Sequence, residues 1–238
     1  MHRRSRVRLS ALLLGAALAQ AQAAGVRVAP ITVNIPAEGD QASVWLSNGQ
    51  AEPWHAEARL YRWRQHQGRD LLEPATDVVL SPRWLEIPAN GHQLVRLVRT
   101  TAAPDQTEGA YRLVVEERSD PQVLGRRLIR YSAPVFALPT TALPALPTLE
   151  TRVEENAEGA AVIIRNSGRQ HARIADLSFH GTRGTQRLLF PSLAGYVLPG
   201  QELRWPLPGP AESFAGGHFN ARVNGQPDAQ DLPSAQAR

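Results

Sequence analysis

The stretch AYRLVVEE, residues 110–117, alternates as a β-strand with one buried face does. Tyr111, Leu113 and Val115 fall on one side of an extended backbone, because successive side chains of a strand point to opposite faces. The residues between them, two of which are charged, fall on the other side. The stretch therefore predicts a strand of a half-buried sheet, whereas a helix would repeat its apolar residues every three or four positions.

Similar short segments, separated by the turn sequences SNGQ, HQGRD and PANGH, make up the chain from residue 26 to residue 136. Seven strands suit an immunoglobulin-like sandwich, and no long amphipathic helix interrupts them. The sequence thus predicts an all-β fold with strands at Val26–Ile35, Gln41–Ser47, His55–Trp63, Val78–Ser81, His92–Arg99, Ala110–Glu117 and Leu128–Phe136.

A proline-rich stretch, ALPTTALPALPTLE, follows these strands. Pro139, Pro144 and Pro147 disfavour a helix or central strand and favour a stiff, extended connector. We therefore expect an N-terminal immunoglobulin-like domain at residues 25–138, a linker at 139–148 and a second sandwich at 149–238. Five further strand-like segments support the second domain: TRVEEN, AAVIIRN, HARIADLSFH, ELRWPL and HFNARVN.

The first 24 residues are typical of a secretory signal peptide. Four arginines precede an apolar run from Ala11 to Ala19, which is too short to span a bilayer. Ala21 and Ala23 form an A-x-A site, so we expect cleavage near Ala23, with Ala24 as the alternative. Removal of these residues lowers the formal charge from +4 to zero, and the exported protein is expected to be soluble.

The sequence carries no motif for catalysis or for a cofactor. It lacks a G-x-S-x-G elbow, a G-x-x-x-x-G-K loop, an H-E-x-x-H pair and any cysteine, and its histidines are scattered. We therefore expect neither an enzyme nor a metal or cofactor site, and stability must come from buried cores rather than disulfides. The balanced charge and the absence of a later long apolar segment argue against nucleic-acid binding and membrane insertion.

The stretch RRLIRYSAPVF, residues 126–136, predicts a strand with one misfit. Pro134 has no N–H to donate to a ladder, so this strand should lie, or be bulged, at the edge of a sheet. An exposed edge attracts other chains. Such an edge is either blunted against pairing or held open for a partner strand.

Five blocks, in order, resemble the periplasmic pilus (fimbrial) assembly chaperones, within the divergent branch that serves archaic and other non-classical pili. The strongest pair is SPRWLEIPANGHQLVRL followed by EGAYRL. The others are VAPITVNIPAEG, VWLSNGQAEPWHAEARLYRW and RYSAPVFALP. The resemblance implies a boomerang of two immunoglobulin-like domains in the periplasm, which binds pilus subunits and delivers them to the outer-membrane usher.

In this family the last strand of the first domain completes a subunit that lacks a strand, a pairing that is a known example of strand addition. Strand parity then assigns the subunit-binding side chains, of which Ile129 and Tyr131 are the large anchors. The full set is Arg127, Ile129, Tyr131, Ala133 and Val135. An open edge of this kind also permits a self-capping homodimer.

The chain departs from the family at two further sites. Thr32 and Pro134 stand where an arginine and a lysine usually hold the subunit's C-terminal carboxylate, so Arg27 and Arg130 become the candidate anchors.

The second site is the interdomain ion pair of the family, whose positions Arg96 and Glu108 match. The acid that completes it is replaced by Asn224 or Gly225, and Asp228 is a substitute.

Two other classes of protein share the export signal and the β composition. A pilus subunit or adhesin would carry an N-terminal extension with alternating large apolar residues, usually with cysteines, and neither is present. A carbohydrate-binding sandwich would need aromatic residues clustered with acids, whereas packing accounts for Trp54, Tyr61, Trp63 and Trp84.

Overall fold

The computed structural model describes residues 25–118, 128–144, 146–182 and 184–235. All regular structure in these residues is β, apart from one short 3-10 helix at Ala211–Phe214. The all-β prediction is therefore confirmed. The predicted signal peptide, residues 1–24, lies outside the described residues.

The first sandwich packs two sheets face to face. One sheet has the order β1 (Val26–Ala29), β3 (Gln41–Asn48), β8 (His92–Arg99) and β6 (Val78–Ser81). The other has the order β2 (Val33–Ile35), β10 (Arg130–Ala137), β9 (Gly109–Glu117), β4 (Trp54–His66) and β5 (Arg69–Pro74), with β7 (Trp84–Ile87) also pairing β4. We call them the first sheet and the donor sheet.

The core of this sandwich forms between the inner faces of the two sheets. Tyr111, Leu113 and Val115 lie in it, as the alternation of residues 110–117 predicts. The predicted strand Val26–Ile35 is in fact two strands in different sheets, because the chain crosses between sheets at residues 30–32, where the Ala29–Pro30 peptide bond is cis. The crossing leaves Ile31 78% exposed.

The second sandwich has a three-stranded sheet and a four-stranded sheet. The three-stranded sheet runs β11 (Leu149–Asn156), β12 (Gly159–Asn166) and β15 (Glu202–Pro206). The four-stranded sheet runs β14 (Gln186–Val197), β13 (Ala172–His180), β16 (His218–Val223) and β17 (Gln230–Leu232). Each sandwich buries its own apolar cluster, and a third cluster joins the two.

Candidate functional site

Strand β10 is paired along its whole length on one side and along only part of it on the other. Its residues 130–137 pair antiparallel with residues 109–116 of β9. On the opposite side, β2 pairs in parallel with residues 135–137 alone. Within the described part of the chain, no strand pairs with residues 130–134 on that side, and we call this segment the open edge.

Two hydrogen bonds show which backbone groups face the open edge. The Glu117 amide donates to the Ile129 carbonyl at 2.8 Å, and the Leu138 amide donates to the Ile35 carbonyl of β2 at 2.9 Å. Because the direction of backbone groups alternates along a strand, odd-numbered residues of β10 bond to β9 and even-numbered ones face outward. The open edge therefore offers the N–H and C=O groups of Arg130 and Ser132.

Pro134 also faces outward by this alternation. Its missing N–H therefore costs β10 no hydrogen bond to β9, where it sits opposite Arg112. The proline is compatible with an edge strand, as the sequence predicts.

The predicted subunit-binding side chains do not form one exposed row. Ile129 and Tyr131 are half-buried where the core ends, and the Tyr131 hydroxyl donates to the Val26 carbonyl. Ala133 and Val135 are 6% and 0% exposed, because their side chains fill the core of their own sandwich. The structure thus corrects the predicted set at these two positions, while Arg127 lies outside the described residues.

Two exposed apolar residues near the open edge were not assigned from the sequence. Leu128, which is 45% exposed, immediately precedes Ile129. Ile31 is exposed in the crossing that precedes β2. Neither residue belongs to an alternating apolar pattern in the sequence. The exposure of Ile31 follows from its position where the chain crosses between the two sheets.

Neither candidate carboxylate anchor lies beside Pro134. Arg130 is about 13 Å along the strand, at 3.3 Å per residue, and its Nε lies 3.1 Å from a carboxylate oxygen of Glu116. Arg27 is exposed on β1, opposite Ser47, in the first sheet rather than the donor sheet. Neither Arg27 nor Arg130 therefore lies at the position of the lysine that Pro134 replaces.

Arg130 belongs to a group of alternating charges on the outer face of the donor sheet. Arg59 lies between Glu116 and Glu57, at 3.7 and 2.6 Å, and Arg83 lies 2.6 Å from Glu57. The guanidinium of Arg59, which donates two hydrogen bonds, is the main cause that lowers the pKa of the Glu57 carboxyl. The charges of this face are thus largely compensated within the chain.

The predicted ion pair between Arg96 and Glu108 does not form. Arg96 is exposed on β8 of the first sheet and has no ion-pair partner among the described residues. Glu108, whose side chain is 1% exposed, accepts a 2.5 Å hydrogen bond from the His171 amide and lies 2.9 Å from His171 Nδ1. The carboxylate therefore bonds to a histidine of the second domain instead of an arginine of the first.

Asn224, one of the residues at the expected position of the third acid, supports this arrangement. Its side-chain amide donates to the His171 carbonyl at 3.1 Å and accepts a 2.7 Å hydrogen bond from the Arg173 amide. Asn224 thus holds the segment that carries His171, without carrying a charge itself.

Aromatic residues from both domains pack beside Glu108 and form what we call the interdomain cluster. Phe136 stacks on the His171 ring at 3.7 Å between centroids, and Trp63 meets Tyr196 edge-on at 5.6 Å. The Gln65 side chain, 4% exposed for the whole residue, donates to the Tyr196 carbonyl at 2.7 Å and accepts from the Leu198 amide at 2.9 Å. Apolar burial and paired polar groups therefore join the two domains.

Metal-binding clusters and membrane-spanning helices were sought in the described residues, and neither is found there. No three or more His, Asp or Glu side chains in the described ranges are arranged to hold a metal ion. No helix in the same part of the chain is long and apolar enough to cross a membrane.

The comparisons with known proteins agree with the fold. A chain in the crystal structure of the CsuC–CsuE chaperone–tip adhesion subunit pre-assembly complex, from archaic chaperone-usher Csu pili of Acinetobacter baumannii, is 22% identical. It superposes with a TM-score of 0.73, over 90% of this chain and 100% of that one.

Two further solved structures share the fold at lower identity. The CupB2 chaperone of Pseudomonas aeruginosa has 16% identity and a TM-score of 0.60, over 87% of this chain and 99% of that one. The E. coli chaperone DraB has 15% identity and a TM-score of 0.61, over 88% and 98%. The match spans both domains, so the prediction of two immunoglobulin-like sandwiches is confirmed.

The first domain also matches a protein-family model. Among curated proteins, no sequence matches the chain. The family model described as "Pili and flagellar-assembly chaperone, PapD N-terminal domain" matches residues 25–125, which contain β1 to β9 of the first sandwich. The first domain is therefore similar to the N-terminal domain of the pilus-assembly chaperones.

Proposed function

We propose that this protein is a periplasmic chaperone that binds a pilus subunit through the open edge of β10 and delivers it to the outer-membrane usher. The observation that supports this most is the five-residue segment 130–134, which is paired with β9 and lacks a second partner strand in the described structure. A strand that adds to such an edge gains main-chain hydrogen bonds to the outward-facing groups of Arg130 and Ser132. The proposed function is binding without catalysis.

The surroundings of the open edge suit a partner that is an incomplete sandwich. Ile129 and Tyr131 lie at the border of the core, so an added apolar strand would continue the buried layer rather than start a new one. Each such side chain contributes about 1.5 to 3 kcal/mol when fully buried. The burial of Ala133 and Val135 then limits the proposed anchors among the described residues to Ile129 and Tyr131.

Similar proteins were solved together with subunits. The structures include a chaperone–tip adhesion subunit pre-assembly complex and the Salmonella enterica SafA pilin with the SafB chaperone. These complexes support a pilus subunit as the partner proposed for this chain. In its absence, a second copy of the chain could occupy the same open edge and cap it, as a homodimer.

The proposal is tested by co-expression with candidate pilus subunits, chosen as secreted β-proteins whose genes neighbour the gene for this protein. We expect one of them to be protected from proteolysis and to co-purify in a one-to-one complex. The control is the same β-protein expressed alone, which should be degraded or aggregated because an unfilled groove and unpaired strands remain exposed. Equal recovery with and without this chain would contradict the proposal.

A further inference from the structure

One pocket of the first sandwich carries several hydrogen-bond donors and no acidic side chain. It has a volume of about 410 Å³ and lies where β1 and β8 begin and β3 ends. Arg27, Ser47 and His92 stand in one row across these strands, because Ser47 pairs with both of the others. All three are exposed on the outer face of the first sheet, so the pocket and the open edge belong to different sheets.

The polar side chains of this pocket are mostly unused within the chain. Among the described residues, the ones that make no hydrogen bond are Arg27, Ser47, Asn90 and His92. The Asn48 side-chain amide, in contrast, donates to the carbonyls of Glu52 and Ile87 at 2.8 and 3.1 Å. Every unused side chain can donate at least one hydrogen bond, and the Arg27 guanidinium can donate several. The pocket therefore offers a surplus of donors to a ligand.

The positive charge of the pocket is not compensated by an acid. No Asp or Glu is among the lining residues, and Arg27 forms no ion pair in the described part of the chain. On the second domain, by comparison, Arg152 lies 3.0 Å from a carboxylate oxygen of Glu202. The predicted signal-peptide cleavage would also leave a new, positively charged α-amino group at or next to Gly25, which lines the pocket. An excess of positive charge and of donors favours an oxyanion.

An exposed aromatic ring lies beside the row of donors. Trp45 is 48% exposed, and its ring meets His92 edge-on, with 5.2 Å between the ring centroids. Its cross-strand neighbours on the same face are Ala29 and Leu94, neither of which is polar. An indole ring beside donor side chains suits a sugar, because the C–H face of the sugar stacks on the ring while its hydroxyls bind polar groups. The volume is also that of a small-molecule pocket, which is roughly 300 to 1,000 Å³.

We propose that this pocket binds an acidic saccharide, meaning a sugar that carries a carboxylate or a phosphate group. Arg27 binds the oxyanion, together with the donors of Ser47 and Asn90. The sugar ring stacks on Trp45, and His92, which contacts that ring, donates to a hydroxyl group. The binding is non-covalent and does not depend on the proposed function, since the open edge takes no part in it.

The test is a titration of the isotope-labelled, exported protein, followed by the NMR signals of its backbone amides. The ligands are glucuronate, a glucose phosphate, neutral glucose and inorganic phosphate. We expect one of the two acidic sugars to shift the amides of Gly49, Asn90 and Gly91 in a saturable way. Its dissociation constant should be about tenfold to a hundredfold below those of glucose and inorganic phosphate, as for the gain of a charged hydrogen bond. The acidic sugar that binds more tightly identifies the oxyanion.

Substitutions separate the two parts of the pocket. Arg27→Gln should weaken binding of the acidic sugar to about the affinity for glucose, and Arg27→Lys should restore part of the loss because it keeps the charge. Trp45→Ala should weaken binding of the acidic sugar but leave binding of inorganic phosphate unchanged. Arg165→Gln changes an exposed arginine on the other domain and should have no effect on either ligand.

A measurement on the wild-type protein avoids any variant that fails to fold. The signal of the Trp45 indole N–H should shift on addition of the acidic sugar and not on addition of inorganic phosphate. The proposal is overturned if no ligand gives a saturable shift at the pocket. It is equally overturned if inorganic phosphate binds as tightly as the acidic sugars, because the pocket would then recognise an oxyanion without a sugar.

Discussion

Replacing Ser132 with proline should weaken the binding of a partner strand by about tenfold to a hundredfold while the first sandwich stays folded. The Ser132 N–H faces the open edge, so its removal costs no hydrogen bond to β9. In the complex, however, the partner carbonyl opposite Ser132 would be buried without a donor, a loss of about 1 to 3 kcal/mol. The effect is measured as the dissociation constant of the one-to-one complex.

Two further substitutions distinguish the loss of the outward N–H from the loss of the Ser132 side chain and from destabilisation of the fold. Ser132→Ala keeps the N–H and should bind as the wild type does. Tyr131→Pro removes an N–H that faces β9, and it should therefore destabilise the first sandwich itself. Undiminished binding by Ser132→Pro, with the strand β10 retained, would contradict the assignment of the open edge.

Replacing Trp63 with alanine should destabilise the protein by about 3 to 5 kcal/mol, the usual cost of deleting a buried tryptophan. Trp63 is 2% exposed, and it packs against Phe136 and Tyr196 in the interdomain cluster. It also supports the guanidinium of Arg112. Chemical denaturation measures the loss, and small-angle X-ray scattering should show that the two domains move more freely relative to each other.

Trp84→Ala is the matched control for this prediction. Trp84 lies on the same outer face of the donor sheet but is 55% exposed. Its replacement should change the free energy of unfolding by no more than about 0.5 kcal/mol, the usual range for a surface substitution. Equal effects of the two substitutions would show that the interdomain cluster contributes little to stability.

The sequence was sufficient for the features that depend on local alternation. The parity of residues 110–117 predicts which side chains enter the core, and Tyr111, Leu113 and Val115 lie there. Pro134 likewise predicts an edge strand, because a missing N–H has a direct consequence for any ladder. Both inferences need only the chemistry of a single strand.

Features that depend on contacts between distant segments could not be predicted from the alternation of residues along a single strand. Parity places Ala133 and Val135 on the same face as Ile129 and Tyr131, but it does not show where the chain's own sandwich ends and the open edge begins. The core of the chain's own sandwich reaches Ala133, two residues beyond the segment 135–137 that pairs with β2.

The partner of Glu108 was unpredictable for the same reason. His171 is 63 residues away along the chain and in the other domain. Its approach depends on how the two sandwiches pack, and no local pattern encodes that packing. Arg112 was visible in the sequence as an outward-facing residue, but only the structure shows that its guanidinium stacks on the Trp63 ring.

Amide hydrogen exchange at Arg130 and Ser132 tests the central claim most directly. With the protein free and monomeric, both amides should exchange rapidly, while the amides of Tyr131 and Ala133, which face β9, stay protected. In the one-to-one complex with a partner, Arg130 and Ser132 should become protected as well. Protection of both amides in the free monomer, or rapid exchange of both in the complex, would contradict the account.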